Sequence, residues 1–320
     1  MKKVVLLAFA LCFFLTSKSQ QDLQFTHFMY DKISFNPAAM GFKDAWCLTA
    51  ISRRQWTGFS SGEPNTTLIN FTTPRFSLLK GSFGLTYFND EIGFENNSMV
   101  RLSYALHLSE LGFQGIGGGN FSVGLSAGYY SKVIDATWIP PTGTPDDAIP
   151  DASSKDNTLS FNAGVYYRNP NFYAGISTTN LSQSQLTNLN IVQARHYYFM
   201  AGYDFHLHDY INVPKLTLRP NVLAKTDAVK TQYDLNINVL AFSTIWAGVT
   251  YRHNDALAPM AGLQRKITKN STVKVGYSYG IGTSFIANYF TNGNHEIMLN
   301  YCFKIVPPTY YEREVHPYLL

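Results

Sequence analysis

Charge is scarce in this 320-residue chain: Asp, Glu, Lys and Arg make up 14 % of it, against roughly 25 % in an ordinary soluble domain. Long apolar runs are missing too. After the first residues no stretch reaches the eighteen or so that a membrane helix needs, which excludes helical spans. Cysteine is limited to Cys12, Cys47 and Cys302, with no spaced Cys/His set of zinc type. Gly117-Gly118-Gly119 has no following Lys-Ser or Lys-Thr to make a phosphate cradle, and no Ser/His/carboxylate set stands out at one place. These absences predict no catalytic residue, no cofactor and no metal.

What is present is aromatic and polar-neutral. Tyr and Phe number 21 and 23, and aromatics reach 15 %. Low charge, many aromatic residues and no helix-length apolar run together describe outer-membrane barrels, which present an apolar band with aromatic girdles to lipid. The start reads as an export signal over 1–19, with basic Lys2 and Lys3, an apolar run from Val4 to Leu15, and small Ser17 and Ser19 before a cut at Gln20. Removal of Lys2, Lys3 and Lys18 lowers the formal charge from +4 to +1, so nucleic acid is not an expected partner.

Period-two alternation is the direct test for a wall between lipid and lumen. In 99–108, 121–130 and 296–305 one set of alternate positions is apolar at 15 of 15 and the other at 5 of 15. The same reading predicts fourteen strands, near 45–53, 66–74, 81–89, 97–108, 119–131, 158–168, 171–178, 196–207, 214–224, 231–241, 244–253, 256–265, 271–281 and 295–305. Each is long enough to cross hydrocarbon at a tilt, and an even count closes the sheet with both ends on one side. The expected architecture is therefore all-β: a single antiparallel transmembrane barrel over 45–305, preceded by an N-terminal segment at 20–44 that plugs or lines it and followed by a periplasmic tail at 306–320. The competing soluble β-sandwich would carry Lys, Glu and Asp on its second face, where this chain has Gly, Ser, Asn and Tyr.

Short turns are expected on the periplasmic side, including 168–171, 242–243 and 266–270, and longer loops outside, at 54–65, 90–96, 132–157, 179–195 and 282–294. The connection 109–118 is long for its inner side. Cys47 and Cys302 fall near the first and last strands, so they are either a bridge where those strands meet or small apolar wall residues.

An ordered series of short motifs runs along the mature chain. It begins with Gln24-Phe25-Thr26-His27-Phe28-Met29-Tyr30 and Asn36-Pro37-Ala38-Ala39-Met40-Gly41, then Arg53-Arg54-Gln55-Trp56-Thr57-Gly58 and Asn89-Asp90-Glu91-Ile92-Gly93. Tyr173-Ala174-Gly175-Ile176-Ser177, His196-Tyr197-Tyr198, Gly248-Val249-Thr250-Tyr251-Arg252, Gly276-Tyr277-Ser278-Tyr279 and His295-Glu296-Ile297-Met298-Leu299 follow. In order and spacing these resemble the PorP/SprF family of outer-membrane proteins. Departures are Tyr279-Gly280, where the family commonly has Tyr-Asp, and the added tail from Val306.

The resemblance implies a non-enzymatic part in type IX secretion and gliding motility: export or surface attachment of a large partner protein with a C-terminal sorting signal, such as an adhesin. Periplasmic components of that system and outer-membrane lipid are the further expected partners. The Asn-Pro-Ala-Ala element is also similar to the N-terminal segment of FadL-like barrels, which keeps a channel or porin for a small solute as the alternative.

Arg53, Arg54, Gln55 and Trp56 are read as a partner-binding or rim group at the outer end of the first strand, or as an interface anchor in which Trp and Arg meet headgroups. Asp90 and Glu91 join them as a hairpin tip. Arg101, Arg252, His295 and Glu296 are read as luminal pairing residues, since a buried charge needs a partner. Asn36 and Pro37 mark the N-terminal family motif.

Overall fold

The computed structural model describes residues 24–58, 62–113, 115–135, 154–210, 213–283 and 292–305. The expected signal at 1–19, the centre of the 132–157 loop and the 306–320 tail lie outside the described residues.

Fourteen antiparallel strands form one closed barrel. In chain order the elements are β1(Trp46–Arg54), β2(Asn65–Thr72), β3(Gly81–Ile92), β4(Glu95–His107), β5(Asn120–Ile134), β6(Ser154–Arg168) and β7(Phe172–Thr179). A small hairpin β8(Gln185–Leu186), β9(Ile191–Val192) intervenes. The wall resumes with β10(His196–Tyr203), β11(Phe205–Tyr210), β12(Val213–Thr226), β13(Thr231–Ala241), β14(Ile245–Arg252), β15(Ala256–Thr268), β16(Ser271–Gly282) and β17(Asn294–Phe303). β10 and β11 oppose β12 in one unbroken register, Gly202 facing Asn221 and Phe205 facing Leu218, so they are two parts of one wall strand broken at Asp204. Closure comes from β1 pairing with β17, which leaves no strand edge at that seam.

Alternation decides which side each residue takes. Leu102, Leu125, Ile176, Ile237, Leu263 and Ile297 are exposed on the outside, whereas Arg101, Ser126, Ser177, Asn236, Asn238 and Glu296 are buried within. This is the reverse of a soluble fold and suits lipid outside a polar interior. Outward aromatic rings gather at both ends. Trp46, Phe71, Phe76, Phe83 and Tyr104 make successive ring contacts at the end where β1 begins and β17 finishes. Tyr129, Tyr197, Tyr233, Tyr251 and Tyr277 are exposed toward the other. Two such belts mark the membrane–water boundaries.

One expectation is revised and one open alternative is decided. The 90–96 loop is a tight hairpin, because β3 continues through Ile92 and β4 begins at Glu95; its polar residues pair across strands instead of looping. The bridge reading of Cys47 and Cys302 is the one realised: they are direct partners in the β1–β17 register, joined by a disulfide with a Cα–Cα distance of 4.1 Å. The long 109–118 connection folds into two short turns of 3-10 helix, Leu108–Leu111 and Ile116–Gly118. No helix among the described residues is long and apolar enough to cross a membrane.

Candidate functional site: the occupied lumen and its rim

Residues 24–44 lie in the lumen, against inward faces all round the wall. Phe25, Phe28, Phe35 and Ala38 are buried and share one apolar cluster with Ile51, Leu68, Tyr198, Leu223, Trp246 and Met298 of the strands. Apolar burial gives this segment its holding energy, at roughly 25 cal/mol per Å² removed from water; polar contacts give it a unique seat.

Glu296 of β17 is the main fastener. Its carboxylate accepts from the backbone N–H of Thr26 (2.8 Å) and of His27 (2.8 Å), and pairs with His27 Nδ1 at 2.6 Å. Arg53 Nε stands 3.9 Å from the same carboxylate, and Arg53 Nη1 donates to the Gln24 carbonyl. Each of these side chains is almost fully buried, where a carboxylate is tolerable only with such a set of donors.

Asn36 and Pro37 are seated on the opposite wall. Asn36 accepts from the Ala38 N–H and caps the 3-10 turn Pro37–Ala39, while its amide donates to the carbonyls of Val165 (3.0 Å) and Ile176 (3.3 Å) on paired strands. The wall makes room with glycine. A Cβ on Gly164 would strike the Asn36 amide oxygen, one on Gly175 would meet its nitrogen at 2.8 Å, and one on Gly124 would run into the Pro37–Ala38 backbone. Ser122 and Ser177 donate to the Ala38 and Phe35 carbonyls, each at 2.7 Å. Asn70 holds Asp31 and Ser34, and Arg101 donates to the Ser34 carbonyl. Where the segment passes into β1, Asp44 is clasped by Arg75 of the β2–β3 turn through Nε (2.6 Å) and Nη2 (2.5 Å). That guanidinium lowers the Asp44 pKa from its usual value.

The charged residues expected in the lumen divide. Arg101 and Glu296 face inward and touch the segment, and Arg252 faces inward to Asp234 (3.1 Å) and Asp255 (3.2 Å). The partners of Glu296 are His27 and Arg53 in place of Arg101 and Arg252. His295 is corrected: one residue along a strand from Glu296, it points to the outer face, where its Nδ1 meets the Tyr277 hydroxyl at 2.7 Å. At the rim the same period separates Arg53, which turns in, from Arg54, which is exposed. Gln55 follows β1, and Trp56 is 41 % exposed at φ 55° with its N–H on Asn294. Asp90 accepts from Thr66 at 2.6 Å, whereas Glu91 is exposed and receives Asn89 and Asn96. The six rim residues therefore form no single patch.

Sequence reasoning missed His27, Asp31, Asn70, Ser122 and Ser177 as fasteners. The available signal was the run of Ser and Asn at inward strand positions together with the polar residues inside the first motif. His206 sits 3.4 Å from Thr217, and among the described residues no group of three ligands could hold a metal.

The sequence matches the family described as "Type IX secretion system membrane protein PorP/SprF" over residues 17–301. No curated protein matches it. Among solved structures it is similar to the Pseudomonas putida toluene transporter TodX, with 8 % identity, a TM-score of 0.51 and coverage of 84 % of this chain and 92 % of that one. A TodX variant titled a monoaromatic hydrocarbon channel gives 9 %, 0.51, 84 % and 93 %. A Pseudomonas aeruginosa FadL homologue gives 12 %, 0.48, 84 % and 92 %. At these identities the likeness is one of fold.

Proposed function

This chain belongs to the PorP/SprF family of type IX secretion system membrane proteins, and from that premise we propose that it assists export or surface attachment of a large partner protein carrying a C-terminal sorting signal. The start of β1 and the end of β17 then lie in the periplasm and the long loops outside. The observation that supports this reading is the lumen, occupied by residues 24–44 and fastened from β1, β2, β4, β5, β6, β7, β14 and β17. A barrel filled in this way offers its ends, and not a bore, to what it handles.

The solute-channel reading takes its appeal from the TodX fold. Its weakness here is chemical: the interior presents Asn70, Arg101, Asn236, Asn238, Arg252 and Glu296, an unsuitable lining for an apolar solute. Arg54, Gln55, Trp56 and Glu91 form the rim candidates for partner contact. Co-purification from detergent-solubilised outer membranes tests the proposal. A large surface protein should travel with the barrel; recovery of the barrel alone, together with porin-like conductance in planar bilayers, would reverse the choice.

A further inference from the structure

At the end of the barrel where β1 begins and β17 finishes, the segment leaves a cavity of about 190 Å³ against the wall. A water's share of liquid is about 30 Å³, so there is room for a small polyatomic group with water around it. Five cations line the cavity: Lys32 and Lys43 from the segment, Arg168 from β6, Arg219 from β12 and Lys274 from β16. Arg219 is neutralised by Asp204 at 3.3 Å. Asp31, the other acid of the lining, is turned to Asn70. Among the described residues, Lys32, Lys43, Arg168 and Lys274 have no carboxylate within ion-pair distance.

Two of the three ammonium groups are held by rings instead, and that of Lys43 stands 3.7 Å from Cys302 Sγ. Lys32 Nζ lies 3.4 Å from the centre of the Tyr173 ring and Lys274 Nζ 5.4 Å from that of Tyr30. Such contacts orient a cation without cancelling its charge. Four uncompensated positive groups brought from four places in the chain into one recess repel one another. A negative group removes that cost. Lysines supply point charges and Arg168 a planar fork, the usual means of holding a phosphate or carboxylate, and Asn169 and Asn171 add amide donors to the lining.

We propose that this recess is an oxyanion site, taking a carboxylate or phosphate group presented at the end of the barrel where β1 begins and β17 finishes. It stands apart from the export reading and does not depend on it.

Isothermal titration of the purified full-length barrel with inorganic phosphate, and with acetyl-Ala-Ala as free acid and as amide, tests the site and separates a free ion from a chain-end carboxylate. Binding of phosphate, or of the acid and not the amide, supports it. Lys274→Gln and Lys32→Gln should each weaken that binding about tenfold or more, the loss of one charge-assisted hydrogen bond. Lys132→Gln, whose lysine pairs with Glu95 near the other end, should leave it unchanged. Retained heat-modifiable mobility on gels checks that each variant is folded. No binding of either anion by the wild-type barrel, or equal binding by Lys274→Gln, overturns the proposal.

Discussion

Replacing Glu296 by Ala should release the start of the luminal segment while leaving the wall intact. The substitution removes the acceptor of two backbone N–H groups and of His27 Nδ1, and the counter-ion of Arg53. A hydrogen bond to a charged group contributes about 1.5–3 kcal/mol, and stripping one partner from a buried ion pair costs about 3–5 kcal/mol. The two figures describe overlapping losses, so about 4 kcal/mol is the reasoned total, a factor of roughly 10³ in the opening equilibrium. Hydrogen exchange followed by mass spectrometry in detergent reads this directly. Protection of the peptide holding Thr26 and His27 should fall by about two to three orders of magnitude in Glu296→Ala, while β3 to β6 stay protected. Glu296→Gln keeps an acceptor oxygen and should fall less. Unchanged protection of Thr26 and His27 in Glu296→Ala would refute the assignment of Glu296 as the fastener.

Gly164→Ala places a methyl against the Asn36 amide and should destabilise the seated segment by about 1–3 kcal/mol, as overpacking does; thermal unfolding of the purified barrel measures it, and Gly93→Ala, with no atom near its added Cβ but a φ of 59°, separates steric from backbone cost. Cys47→Ser, or reduction of the wild type, opens a link spanning 255 residues, for which the chain-entropy estimate is an upper limit of about 5 kcal/mol; the denaturant midpoint should fall, and equal midpoints with and without reductant would contradict a bridge at the seam. Because Arg75 holds the Asp44 pKa down in the folded state, that pair stabilises above the unfolded carboxylate value of about 3.9 and is lost as pH falls through the folded one. With the Asp44 side chain 45 % exposed the effect is small and salt-sensitive, and Arg75→Gln should flatten the acid limb of a stability–pH curve.

The wall was legible because its physics is local. Lipid on one side and a polar interior on the other impose period two, and each of the fourteen predicted segments coincides with an observed wall strand. Interior contacts were less legible. Glu296 and His295 share a motif, yet one residue of strand turns them to opposite faces, and sequence alone assigned both to the lumen. Nothing local joins His27 to Glu296 across 269 positions, or Asn36 to the Val165 and Ile176 carbonyls; these follow from where the segment lies once the barrel closes. Gly124, Gly164 and Gly175 look like ordinary strand glycines until the Asn36-Pro37-Ala38 backbone is seen lying against them. The Cys47–Cys302 bridge needed the register of first and last strands, a property of closure and not of either segment.

Fractionation of a strain lacking this barrel tests the central claim most directly, by tracking secreted proteins that carry a C-terminal sorting signal through periplasm, cell surface and medium. The account predicts that at least one large surface protein is held in the periplasm or lost from the surface and is restored by the wild-type chain. Normal display of every such protein in the deletion strain would contradict it.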